Sequence, residues 1–184
     1  MPLPCPPESD AAPGLETARR RLLAVLGAAP PRWLLVHVPS QTLRLVVDGR
    51  VARSFGVSTA AAGVSGVEGS FGTPPGVHRI DRKIGAGHPV GTWFRSREPV
   101  GRWPQDDPDG EDLILSRILT LDGCEEGLNR GPGCDSRERF IYIHGTNHEG
   151  GIGRPCSHGC VRLSNADVIH LYELVEEGDP VVVV

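Results

Sequence analysis

The chain has 184 residues, 24 of them glycine and 17 proline, and a formal net charge of −4. That length fits one domain able to bury its own core, and the acidic balance excludes a nucleic-acid partner, because no basic excess exists to neutralise phosphates. No apolar run is long enough to span a bilayer, and the glycine and proline content points to many turns and short strands.

Residues 1–14 are rich in Pro and Ala and are expected to be disordered. Over residues 15–26, Leu15, Leu22, Val25 and Leu26 fall on one side of a short helix. The stretch from Arg19 to Ala29 has some look of a secretory leader. However, Glu8, Asp10 and Glu16 precede it and its apolar run is short, so an amphipathic helix is the preferred reading. Residues 1–30 are therefore expected to form an N-terminal extension, partly disordered with a short helix, and residues 31–184 the main domain.

From Trp33 the pattern turns to β. Trp33–Val38 and Thr42–Val47 are apolar, β-branched runs, Asp48-Gly49 reads as a hairpin turn, and Arg50–Ser58 is the returning strand. Residues 59–76 are mostly small and end in the loop Gly72-Thr73-Pro74-Pro75-Gly76, before a strand over Val77–Ile80. Residues 85–110 carry many turn formers together with Trp93, Phe94 and Trp103, which suggests a long surface loop or lid. Strands are expected at Leu113–Leu121 and at Phe140–Ile143, with a polar, Gly-rich segment at 122–139 between them. Ser164 with Asp167 three residues on marks a helix start. Val168, Leu171, Tyr172 and Val175 then give that helix one buried face, and Gly178 and Pro180 end it. Val181–Val184 is apolar on both faces, as a central strand requires. The fold class expected is mostly β with one or two peripheral helices.

The chemistry concentrates near the C-terminus, in His144-Gly145-Thr146 and Ser157-His158-Gly159-Cys160-Val161-Arg162. A thiol, two imidazoles and a guanidinium stand among glycines that let backbone N–H groups approach a ligand. Cys160 lies four residues before the helix start at Ser164, and a helix N-terminus is expected to lower its pKa. The N–H groups of His158, Gly159 and Cys160 are candidates to hold a developing oxyanion. Strand alternation puts Tyr142 and His144 on one face, where His144 is placed to act as base or ion-pair partner of the thiol.

With these motifs the chain resembles the YkuD-type L,D-transpeptidase domain, which carries a strand-end His-Gly and then Ser/Thr-His-Gly-Cys followed by an apolar residue and Arg or Asn. The resemblance covers roughly residues 33–184 and implies a β-sandwich-like fold. It implies a bacterial cell-wall enzyme, with peptidoglycan stem peptides or muropeptides as partners, that cuts the bond between the third stem residue (typically meso-diaminopimelate) and D-alanine. By this likeness Cys160 is the nucleophile that forms a thioester, and His144, oriented by the carbonyl of Gly145, takes its proton. His158 and Gly159 shape the catalytic turn. Arg162, Ser157, Asn165 and Tyr142 are the candidate substrate-binding residues. The likeness also implies covalent acylation by carbapenems and calls for no cofactor. The missing leader resembles a subgroup that trims D-alanine from tetrapeptides in cytoplasmic murein recycling, so an L,D-carboxypeptidase in the cytoplasm is expected. The alternative is an L,D-transpeptidase that cross-links the wall, periplasmic if the N-terminus holds an export signal.

Two rival readings use the same residues. Cys156-x-His158-x-Cys160 with His144 offers four zinc ligands, although the spacing is not that of usual zinc sites. A non-catalytic muropeptide-binding domain is the other. Five cysteines leave at least one without an intramolecular partner. In an exporting cell Cys124 and Cys134 are a candidate pair, and Cys156 is a candidate oxidation partner of Cys160.

Overall fold

The structure, a computed structural model, describes residues 12–108 and 110–184. The disorder expected for residues 1–14 falls almost entirely outside them. Among the described residues the elements are α1 (Leu15–Leu26), β1 (Arg32–His37), β2 (Thr42–Val47), β3 (Arg50–Gly56), β4 (Gly76–Ile84), β5 (Thr92–Arg95), β6 (Glu98–Arg102), β7 (Ile114–Gly123), β8 (Tyr142–Gly145), β9 (Val161–Leu163), α2 (Asn165–Leu174) and β10 (Pro180–Val183). The fold is mostly β, with two helices.

The strands run in the order β3-β2-β1-β10-β4-β7 and then branch. One limb continues through β5 and β6, the other through β8 and β9, and both hydrogen-bond to β7. The register of β7 against β8 shifts between Leu115 and Ile118, where Ser116 takes a left-handed φ of 69°. Such an irregularity bends a strand and lets it serve two partners. The sheet then curls until the segment after β3 meets β9, through bridges at Ser58–Arg162 and Ala60–Ser157. The result is the sandwich-like shape expected.

β10 lies between β1 and β4, parallel to the first and antiparallel to the second. Its residues face two cores. Val181 and Val183 join Leu34, Val36, Leu119, Ile143, Val161 and the α2 residues Val168 and Leu171 on one side. Val182 joins Trp33, Leu35 and the α1 residues Leu15, Ala18 and Leu22 on the other. That two-sided burial is why the run is apolar throughout. α1 is thus docked on the sheet, and Arg21 reinforces it with two hydrogen bonds of 3.0 Å to the Glu125 carboxylate.

Local chemistry sets several boundaries. Asp48 and Gly49 both take positive φ (49° and 78°) and join β2 to β3 as a two-residue turn. Ser164 caps α2, its hydroxyl accepting from the Asp167 N–H at 3.1 Å. The lid expected over residues 85–110 is instead largely a hairpin, β5–β6, built onto β7. Trp93 and Phe94 anchor it on opposite sides, Trp93 against Leu113 and Leu115, Phe94 against Ile118 and Tyr142. The strand expected from Phe140 begins two residues later. The Asp135 carboxylate accepts the N–H groups of Arg137 and Glu138, and Ile141 N–H bonds to the Ser136 carbonyl, so the chain is still turning at Phe140.

Candidate active site

β8 and β9 run parallel, with Ile143 opposite Val161 and His144 opposite Arg162. Residues level with one another on parallel strands share a face, and every second residue repeats it. Ile143 and Val161 point into the main core. Tyr142, His144, Cys160 and Arg162 therefore share the opposite face. Cys160 packs beside Tyr142, Phe94 and Ile118.

The turn that presents Cys160 is held from both sides. The Ser157 hydroxyl donates to the Cys160 carbonyl at 2.6 Å and accepts the Gly159 N–H at 3.2 Å. Thr73, from the Gly-Thr-Pro-Pro-Gly loop, donates to the Gly159 carbonyl at 3.0 Å and accepts the Ala60 N–H at 3.0 Å. Gly159 has φ +130°, a conformation that L side chains rarely adopt. Of the three N–H groups expected to face an oxyanion, that of Gly159 is engaged by Ser157. Those of His158 and Cys160 have no partner among the described residues.

The thiol sits in a different field from the one expected. A three-residue strand, β9, separates Cys160 from α2, and the first N–H of that helix, on Asn165, is taken by Glu149 at 2.6 Å. The helix N-terminus therefore does not serve the thiol. Burial pushes Cys160 up to about 11, against the smaller opposing effects of the Tyr142 N–H and the charges of Arg162 and Arg139. The Cys160 sulfur accepts that N–H at 3.4 Å, and its thiol donates to the Phe140 carbonyl at 3.5 Å.

His144 is buried, and burial lowers its pKa to about 4. Its Nδ1 lies 2.7 Å from the Gly145 carbonyl. A neutral ring donating there keeps its Nε2 lone pair as the acceptor. Gly145 has no room for a side chain: a Cβ would lie 2.5 Å from Asn165 Oδ1 and 2.6 Å from the Leu115 carbonyl. The Asn165 amide nitrogen donates to the Thr146 carbonyl at 2.8 Å and to Glu149 at 2.9 Å, while its oxygen accepts from Ser116 at 2.7 Å. Every polar atom of that side chain is thus committed to bracing the loop behind His144.

Arg162 is buried and donates to the Asp112 carboxylate and, at 3.4 Å, to the Cys156 carbonyl. Its Nε has no partner among the described residues. Asp112 also lies 3.7 Å from Nδ1 of His158, whose side chain is 74% exposed. Asp112 was missed from sequence, because its partner Arg162 stands 50 residues away along the chain. Arg139 was missed too. Its guanidinium bonds the carbonyls of Ser65, Gly66 and Gly72, so it fixes the Gly72–Gly76 loop against the Cys160 turn.

No group of three or more His, Cys, Asp or Glu residues among the described ones converges as a metal site, which removes the geometric basis of the zinc reading. Cys124, Cys134, Cys156 and Cys160 are free thiols. No helix among the described residues is long and apolar enough to cross a membrane.

A thiol and a neutral imidazole on one face of paired strands, with guanidinium groups beside them and a glycine turn below, define a candidate cysteine acyl-transfer site on a curled β fold. The family model of the YkuD L,D-transpeptidase catalytic domain matches residues 31–183, and the chain belongs to that family. Among individual relatives, YqjB of Bacillus subtilis (strain 168), named for an L,D-transpeptidase, is 27% identical over 151 residues, covering 82% of this chain and 70% of YqjB. The solved L,D-transpeptidase from Mycobacterium smegmatis superposes with a TM-score of 0.53 at 22% identity, covering 85% of this chain and 60% of that one. L,D-transpeptidase 3 from Mycobacterium tuberculosis, solved with a faropenem-derived adduct, gives 0.53 at 20% identity, covering 85% and 61%. The chain thus spans about three fifths of those solved chains.

Proposed function

We propose that this protein is a cysteine acyl-transfer enzyme acting on the bond between the third residue and D-alanine of peptidoglycan tetrapeptide stems, with water as its main acyl acceptor. The observation that carries the reading is the shared face of Cys160 and His144, with the imidazole fixed in the tautomer that leaves Nε2 open. At rest both groups are neutral. Turnover begins with rotation of the thiol from the Phe140 carbonyl toward His144, which accepts its proton at Nε2. Sulfur attacks the scissile carbonyl, and the oxyanion takes the unpaired N–H groups of His158 and Cys160. The imidazolium then protonates the leaving amine of D-alanine as the C–N bond breaks, leaving a thioester. Water, deprotonated by His144, attacks the thioester; the C–S bond breaks and the thiol recovers the proton. His158 and Arg162, both beside Asp112, hold one wall of the site.

The preference for water over an amine acceptor rests on the leader-like stretch. Its residues up to Leu26 belong to α1, where Leu22 is fully buried against the sheet, so that part of the stretch has a structural use. A cytoplasmic enzyme meets soluble muropeptides rather than polymeric wall, and hydrolysis is then the productive second step. The reading is tested by incubating the pure protein with disaccharide tetrapeptide. Tripeptide and free D-alanine are expected, and both are lost in Cys160→Ala. Dimers without tripeptide would assign cross-linking instead. Intact-mass detection of a carbapenem adduct on the wild type but not on Cys160→Ala is the matching check on the nucleophile.

A further inference from the structure

Next to the aromatic cluster that packs on the thiol lies a cavity of about 340 Å³ whose lining includes Arg82, His88, Phe94 and Arg97. It is continuous with the candidate site through two contacts. Phe94 packs in the same cluster as Tyr142 and Cys160. The Arg97 guanidinium stands 6.0 Å over the Phe140 ring, and the Phe140 carbonyl is the group that accepts the thiol proton. Tyr142 is coupled to both: burial raises the pKa of its phenol, the charge of Arg97 opposes this and that of Cys160 adds to it.

The cavity is cationic without being neutralised. Neither Arg82 nor Arg97 has a carboxylate partner among the described residues, whereas Arg95, one turn away on the same hairpin, is paired with Glu111 at 3.1 Å. Glu98 also lines the cavity and is the sole carboxylate there, against two guanidinium groups and an imidazole. Ser96 and Arg97 form the β5–β6 turn with φ of 52° and 71°, which holds Arg97 at the rim. A planar guanidinium matches a carboxylate in two parallel hydrogen bonds. Stem peptides carry such groups on the third residue and on the terminal D-alanine.

We propose that the Arg82–Arg97 cavity is the subsite that binds a carboxylate of the acyl-donor stem peptide and so sets how the donor lies across Cys160. The proposal rests on the reading of the site as one for stem peptides. Its test uses the full chain as wild type, as Arg82→Gln/Arg97→Gln, and as Arg95→Gln, the control for simple loss of surface charge. Tetrapeptide binding is measured by calorimetry and turnover by D-alanine release. Three donors are compared: the free acid, the form amidated on the third-residue side chain and the form amidated on D-alanine.

The double variant is expected to weaken free-acid binding tenfold or more and to raise KM with little change in kcat, while Arg95→Gln matches the wild type. Whichever amidated donor the wild type already binds tenfold less well, and the double variant binds no worse, identifies the carboxylate. Equal affinities of wild type and double variant for the free acid would overturn the subsite, as would equal losses on all three donors. Arginine-dependent binding without any D-alanine release would leave the subsite standing and reject the acyl-transfer reading. Turnover that ignores both arginines would do the reverse, and absence of binding by the wild type would reject both.

Discussion

Burial displaces Cys160 and His144 in opposite directions, to about 11 and about 4. Each displacement favours the neutral form, so the free protein holds its thiolate in reserve until substrate arrives. Compared with an ordinary thiol of 9.0, a displacement of that size lowers the thiolate fraction at neutral pH by about 100-fold. Alkylation of Cys160 by iodoacetamide at pH 7 is therefore expected to be about 100-fold slower than that of a model thiol, with exposed Cys156 reacting first. Peptide mapping by mass spectrometry reads both, and a rate at Cys160 matching the model thiol would contradict the burial argument. The same displacements shape stability. His144 and His78, both buried and both lowered to about 4 from 6.5, contribute stability that is present above pH 6.5 and lost as pH falls through 4. Cys160, raised, contributes stability that is present below pH 9 and lost as pH rises through 11. The melting temperature is expected to plateau between these limits, and His78→Gln should flatten part of its acid limb. An acid limb of unchanged depth in that variant would assign the loss to other groups.

At the scale of elements, the site depends on how β8 is backed. Gly145 stands where a Cβ would strike Asn165 Oδ1 and the Leu115 carbonyl, and its own carbonyl orients His144. Gly145→Ala is expected to push the strand off β7 and to cost activity at least tenfold along with a lower melting temperature, since backbone and a locked amide cannot yield. Asn165→Ala should destabilise by about 1–3 kcal/mol, because the Thr146 carbonyl and the Ser116 hydroxyl lose a buried partner. Near-wild-type melting in denaturant titrations of either variant would show that the loop has other supports. Much of this was legible in the sequence: alternation set the faces of Tyr142 and His144, and the Ser164–Asp167 pair set the start of α2. What escaped depends on distant partners. The β5–β6 hairpin is short and set among turn formers, and it becomes a strand pair only where β7 branches. The field around Cys160 could not be read because β9 intervenes and Glu149, sixteen residues upstream, takes the first N–H of α2. Asp112 and Arg139 carry no motif, and their roles arise only when β9 and the Gly72–Gly76 loop come together.

On the scale of the whole molecule, two main cores lie on opposite faces of one sheet, and of these two only the one under α2 backs the site. The core that contains α2, β8 and β9 supports Cys160 and His144. The core under α1 contains Leu15, Ala18, Leu22, Trp33 and Val182 and lies on the opposite face. Because β10 and β1 separate them, damage to the second core should lower stability without reshaping the first. Leu22 is fully buried. Leu22→Ala is expected to cost about 3 kcal/mol, which for a chain of this size lowers the melting temperature by about 6–12 °C. At temperatures well below that midpoint, D-alanine release should stay within about twofold of wild type, since ΔΔG values at distant sites with no shared partners add nearly independently. Calorimetry alongside the turnover assay checks both halves. A drop in turnover that matches the drop in stability would mean that the cores are coupled through the sheet. An unchanged melting temperature would mean that α1 is not docked in solution, and the structural use assigned to its buried residues would fall.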